Sequence, residues 1–84
     1  MVRIVVMPPF DKEFFGEFIN DGRLDLAPHN LFDLVEKLEA LAPGFAAIAP
    51  ARVHFAVDGV LETDWTRELA QAQEVIVLPR VGGG

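Results

Sequence analysis

The most distinctive chemistry in this sequence lies in its last six residues, Pro79-Arg80-Val81-Gly82-Gly83-Gly84. With Gly84 read as the chain's end, its α-carboxylate stands on a run of residues without side chains. Glycine lacks the Cβ that would collide with the walls of a narrow channel. The five residues from Arg80 to Gly84 reach roughly 17 Å when extended, at about 3.4 Å each. Such a tail can deliver a carboxylate deep into another protein. The plain alternative is a featureless terminus, since chain ends are commonly mobile.

The other groups that could do chemistry are scattered. His29 and His54 lie 25 positions apart, with no metal-ligand partner at useful spacing, so no metal site is expected. The carboxylate pairs Asp11/Glu13 and Glu62/Asp64 read as solvated. No spacing suggests a Ser-His-Asp arrangement, a phosphate-binding loop or a dinucleotide fingerprint. With Gly84 read as the chain's end, the C-terminal glycines are not expected to cradle phosphate, since no helix would follow to contribute its N-terminus. The chain has no cysteine, which excludes disulfides, a Cys₄ zinc site and a thiol nucleophile. That absence fits a cytoplasmic protein.

Composition narrows the partners. The net charge of −6 disfavours a phosphate backbone, so nucleic-acid binding is not expected; a basic protein partner or simple solubility both fit. The apolar run Val2–Met7 is too short for a signal peptide's core and ends at Pro8-Pro9, and no stretch approaches the ~20 apolar residues of a membrane span. At 84 residues and 51% apolar, the chain is expected to form one globular domain, residues 1–79, with 80–84 as a flexible tail.

The elements that must hold the tail can be read in order. Val2–Met7 predicts a strand buried on both faces and central in its sheet. Phe10, Phe14 and Phe18 recur every fourth residue, predicting a short helical turn or loop that leans aromatic rings on the core. Asn20-Asp21-Gly22 is a turn signal, and Arg23–Leu26 alternates polar and apolar as a half-buried strand does. Asn30 is a helix N-cap with Asp33 at the third helical position. Leu31, Leu34, Val35, Leu38, Leu41 and Ala42 then make one apolar stripe, stopped by Pro43-Gly44. Phe32 sits off that stripe, against a neighbouring loop. Phe45–Ala51 reads as an apolar loop, with Phe45 and Ile48 plugging the end of the sheet. Arg52–Val57 is a strand, Asp58-Gly59 a two-residue hairpin turn, and Val60-Leu61 the start of the return strand. Thr63–Leu69 is a connection with one helical turn, in which Trp65 either anchors an interface or packs half-buried. Val75–Leu78 is the last strand, apolar on both faces, leading straight into the tail. The first and last strands are expected side by side at the sheet centre, with a single helix over one face: an α+β roll.

In this order the residues resemble the MoaD/ThiS-type sulfur carriers. The likeness is carried by four stretches: Val2–Met7, the capped start Asn30–Val35, Ala42-Pro43-Gly44-Phe45 running on to Arg52–Gly59, and Glu74–Gly84 with its terminal diglycine. It covers most of the chain outside Phe10–Phe18. Ala72-Gln73 stands where the family commonly has Gly-Asp, Pro79-Arg80 where the small subunit of molybdopterin synthase often has two prolines, and Gly82 in place of a small residue. Alanine resists positive φ, so the resemblance leaves the turn at Ala72-Gln73 open.

The resemblance implies a ubiquitin-like β-grasp fold, a mixed sheet of about five strands on one main helix. It implies a carrier and protein substrate rather than an enzyme. A relative of ubiquitin-activating enzymes, an adenylyltransferase, would adenylate the Gly84 carboxylate with ATP. Sulfur donation would convert the adenylate to a thiocarboxylate, and the carrier would pass that sulfur on, in molybdenum cofactor biosynthesis by docking with the large subunit of molybdopterin synthase. No cofactor bound by this chain is implied, and ATP belongs to the activating enzyme. Pro79, Arg80, Val81, Gly82 and Gly83 would then bind partners, with the outer face of the last strand as docking surface and Arg80 pairing with acidic groups or remaining a solvated charge. Rival readings are a thiamine-thiazole carrier, a ubiquitin-like modifier joined to lysines through Gly84, and a non-covalent interaction module.

Overall fold

In a computed structural model, which describes residues 1–16 and 23–80, the chain is an α+β fold built on a mixed five-stranded sheet. The elements are β1 (Val2–Val6), α1 (Phe10–Phe14), β2 (Arg23–Leu26), α2 (Leu31–Leu41), α3 (Phe45–Arg52), β3 (Val53–Val57), β4 (Val60–Glu62) and β5 (Glu74–Pro79). The expected turn at Asn20-Asp21-Gly22, the ring of Phe18 and the tail Val81–Gly84 lie outside the described residues.

The strands run in the order β2-β1-β5-β3-β4. β1 and β5 are parallel neighbours, with Ile4 beside Val75 and Val6 beside Val77, and every other pair is antiparallel. The last strand is therefore the middle strand, and the first lies beside it as expected. β2 is an edge strand, as its alternation suggested, and buried Pro28 follows it.

Helix α2 forms where its cap and stripe require. The Asn30 side chain accepts from the Asp33 N–H at 2.8 Å, and the Asp33 carboxylate accepts in turn from the His29 N–H at 2.8 Å. Leu31, Leu34, Val35, Leu38 and Ala42 face the sheet and are buried with Val2, Ile4, Val6, Val53, Phe55, Val57, Val75 and Val77. Gly44 ends the turn after α2 at φ +107°, a conformation that a Cβ disfavours.

Three expectations are corrected. Phe45–Arg52 is a helix, not a loop. Its alanines are strong helix formers, and the Glu39 carboxylate accepts from the Gly44 and Ala46 N–H groups, satisfying donors at the start of α3. The sheet is covered by α2 together with α3 and the α1 phenylalanines, not by one helix alone. Phe10 and Phe15 are buried and, with Phe14, pack edge-on around Phe45 at centroid distances of 5.3–6.4 Å. Thr63–Leu69 holds a single turn, as expected, closed by the Arg67 N–H on the Asp64 carbonyl at 3.2 Å, with the Asp64 carboxylate accepting from the Thr66 N–H and hydroxyl.

The third correction concerns the sheet's second face. β1 and β5 bury one face each, through Val2, Ile4, Val6, Val75 and Val77, while Val5, Ile76 and Leu78 on the other side are only half-buried. Among the described residues, all three helices lie on the buried side, so the apolar outer positions have no layer above them.

Candidate functional site

The tail leaves the sheet from its middle strand. Pro79 is paired with Val53 and Arg80 is exposed. The Arg80 N–H donates to the Arg52 carbonyl at 2.8 Å, and its guanidinium reaches the Pro50 carbonyl at 3.4 Å, a long contact. The Arg52 guanidinium lies 5.3 Å from the centroid of Phe10 and 3.2 Å from the Glu13 carboxylate. The end of α3, the start of β3 and helix α1 thus bracket the point where the tail begins. Val81, Gly82, Gly83 and Gly84 lie outside the described residues.

Pro79 is not on the outer face of β5. Register puts it beside buried Val53, on the helix-covered side; the residues that alternate outward are Ile76 and Leu78. Register also aligns Val5, Ile76, Ala56 and Leu61 in one row across four strands, with Leu78 beside His54 in the next row. Leu61 is 52% exposed. This open apolar row crosses the sheet on the hairpin side, with Leu78 alone near the tail's exit, and it was legible only in part. The alternation of β3 and β5 marked two faces, but not which of them would lack cover.

The turn at Ala72-Gln73 is made without positive φ at either residue. Asp58 serves instead: its carboxylate accepts from the Gln73 and Glu74 N–H groups at 3.0 and 2.9 Å. The Asp58-Gly59 hairpin takes φ of +48° and +86°, as its sequence predicted. This hairpin therefore holds the start of β5, at the opposite end of that strand from the tail.

The remaining candidates are dispersed over the fold. His29 is exposed in the loop before α2, and His54 is half-buried on β3. Among the described residues no three His, Asp or Glu side chains gather where a metal ion could be held. The Asp64 N–H and the Arg67 guanidinium hold the Glu62 carboxyl below the usual carboxylate range; the Thr66 hydroxyl and N–H do the same for Asp64. Both acids therefore stay ionised near neutrality and are poorly suited to donate a proton there. A hollow of about 530 Å³ against Pro8, Pro9, Asp11, Lys12 and Glu13, and another of about 440 Å³ lined in part by Met1, His29, Thr66 and Leu69, bring together no recognisable catalytic set. Among the described residues no helix is long and apolar enough to cross a membrane.

A scan of protein-family models finds no match for the chain, and a search of curated proteins finds none either.

Proposed function

We propose that the chain is a sulfur carrier of the MoaD/ThiS type with a ubiquitin-like β-grasp fold, closest to the small subunit of molybdopterin synthase. The observation that carries this reading is the placement of β5. It is the central strand, parallel to β1, and it leads at Pro79-Arg80 into Val81-Gly82-Gly83-Gly84. A capped helix across a mixed sheet, with first and last strands adjacent and parallel, supports the β-grasp assignment.

The reading requires Gly84 to be the terminus of the mature chain. Its carboxylate oxygen would attack the α-phosphorus of ATP on an adenylyltransferase related to ubiquitin-activating enzymes, with pyrophosphate leaving. A sulfide-level nucleophile from the sulfur donor then attacks the carbonyl carbon. AMP departs with the electron pair of the broken C–O bond, and loss of the proton leaves the thiocarboxylate. Without a side chain at Gly84, nothing crowds that attack. Ordering three glycines costs on the order of 1–2 kcal/mol each in backbone entropy. The folded body must therefore supply docking area, and the open row Val5–Ile76–Ala56–Leu61 is suited to it, with Leu78 on the same face leading toward the tail's root.

Intact mass spectrometry after incubation with ATP, the activating enzyme and a sulfur donor tests this. The expected result is a gain equal to one oxygen-to-sulfur exchange, absent when Gly83 and Gly84 are deleted. No gain with an enzyme active on its own carrier overturns the reading. An isopeptide-linked ladder in its place would assign the chain as a protein modifier.

A further inference from the structure

A second surface lies away from the tail and is independent of its chemistry. Phe55 is fully buried in β3, Trp65 packs edge-on against it at 5.6 Å, and Phe32 packs edge-on against Trp65 at 5.4 Å. The three rings form a stack from core to solvent, and Phe32 at its outer end is 53% exposed. The Phe32 N–H also donates to the Trp65 carbonyl at 3.2 Å, which fixes helix α2 to the loop. An aromatic ring already held in place loses little freedom when a partner covers it. Beside Phe32 runs a hollow of about 460 Å³ that Val35 and Glu36 also line.

The charge around this stack is one-sided. Lys37 is 3.8 Å from Asp33, and Arg67 is 2.9 Å from Glu62, so both cations are engaged. Glu36, Asp64 and Glu68 are exposed and have no cation within ion-pair distance among the described residues. Asn30, at the start of α2, pairs as an isolated bridge with Glu68, so these carboxylates share the end of the molecule where the stack emerges.

We propose that the Phe32–Trp65 stack with its carboxylate rim is a docking surface for a protein segment that presents an apolar side chain flanked by Lys or Arg. The apolar side chain fills the hollow against Phe32 and Val35, and the cations meet Glu36 and Glu68. An acidic segment is rejected by the same rim, which sets the partner's character.

Trp65 is the sole tryptophan, so its emission reports on this surface directly. The intact chain is titrated with a synthetic helical peptide of Leu, Ala and Arg, and with a control carrying Glu for Arg, while amide NMR shifts are followed. The expected result is a saturable change in Trp65 emission with the Arg peptide alone, weakened by salt, with shifts at Phe32, Glu36 and Trp65. Phe32→Ala is expected to weaken binding about tenfold, as loss of an aromatic anchor does. The exposed substitution Glu36→Lys should weaken it as well, without dependence on packing. Deletion of Gly83 and Gly84 should change nothing, which separates this surface from the carrier reading. No saturable response, equal response to the Glu peptide, or shifts confined to Val5, Ile76 and Leu78 would overturn the proposal. Self-association of the chain alone that Phe32→Ala abolishes would overturn it too, giving the face to a second copy.

Discussion

Arg80, the last described residue, is fastened to Arg52: its backbone N–H donates to the Arg52 carbonyl at 2.8 Å. The Arg52 side chain turns the other way, over the ring of Phe10 and toward Glu13. One residue thus joins the tail's root to helix α1.

Replacing Arg52 tests how much its side chain contributes. The ion pair is half-exposed on both sides and is worth little after solvent screening, about 0.2–1 kcal/mol. The cation–π contact adds about 0.5–1 kcal/mol. Arg52→Ala should therefore destabilise the fold by about 1 kcal/mol in urea unfolding. Arg52→Lys should fall between it and wild type, because an ammonium keeps the charge but loses the planar stacking.

Asp58 is the corresponding anchor at the other end of β5. Its N–H donates to the Glu74 carbonyl, while its carboxylate takes the Gln73 and Glu74 N–H groups, and it holds φ at +48°. Asp58→Ala removes the acceptor and disfavours that φ, so a loss of about 1–3 kcal/mol is expected. Asp58→Asn keeps a carbonyl acceptor and tolerates the left-handed region, so it should stay within about 1 kcal/mol of wild type. Thermal unfolding of the two variants side by side distinguishes them; equal loss in both would show that the charge, not the acceptor, matters.

These anchors mark the boundary of what the sequence discloses. Local signals were legible because their cause is local: Asn30 caps α2 three residues from Asp33, and Asp58-Gly59 turns on its own dihedral needs. The pairing of β1 with β5 followed from two runs that were apolar throughout. That same apolarity misled on burial, since Val5, Ile76 and Leu78 look like core residues in sequence yet face a side on which none of the described helices lies. Helix α3 was hidden for a different reason. It has no polar stripe to set a period, Pro50 interrupts its pattern, and its start is capped by Glu39 from another helix. The clasp of Asp58 on Gln73, 15 residues apart, is non-local in the same way. At the candidate site, the glycines were plain in the sequence, but the bracket of Arg52, Phe10 and Glu13 at the tail's root was not.

Glu39 offers a direct check on that non-local cap. Its carboxylate receives the Gly44 N–H at 3.0 and 3.1 Å and the Ala46 N–H at 2.9 Å, beside the start of α3 where negative charge is favoured. Glu39→Ala should cost about 1–2 kcal/mol. Hydrogen exchange of the Gly44 and Ala46 amides should accelerate more than that of the α2 amides. Uniform acceleration across both helices would show that the carboxylate does not hold α3 specifically.

The turn beside Trp65 should respond to acid in a defined direction. The Asp64 N–H, then the Arg67 guanidinium, hold the Glu62 pKa below its ordinary value; the Thr66 hydroxyl, then the Thr66 N–H, do so for Asp64. A carboxylate whose folded pKa is depressed stabilises the fold above its unfolded pKa and loses that contribution as pH falls through its folded pKa. The unfolded chain binds the proton first on the way down, so stability should decline from the ordinary carboxylate range downward and be unaffected by these groups near neutrality. Carboxyl ¹³C NMR titration of the folded chain, against a peptide spanning residues 60–68, reads the two midpoints. Both should lie below those of the peptide. The Glu62→Gln/Asp64→Asn double variant should show a flatter acid limb of Trp65 emission, and midpoints at or above the peptide's would mean that these hydrogen bonds do not hold the turn in solution.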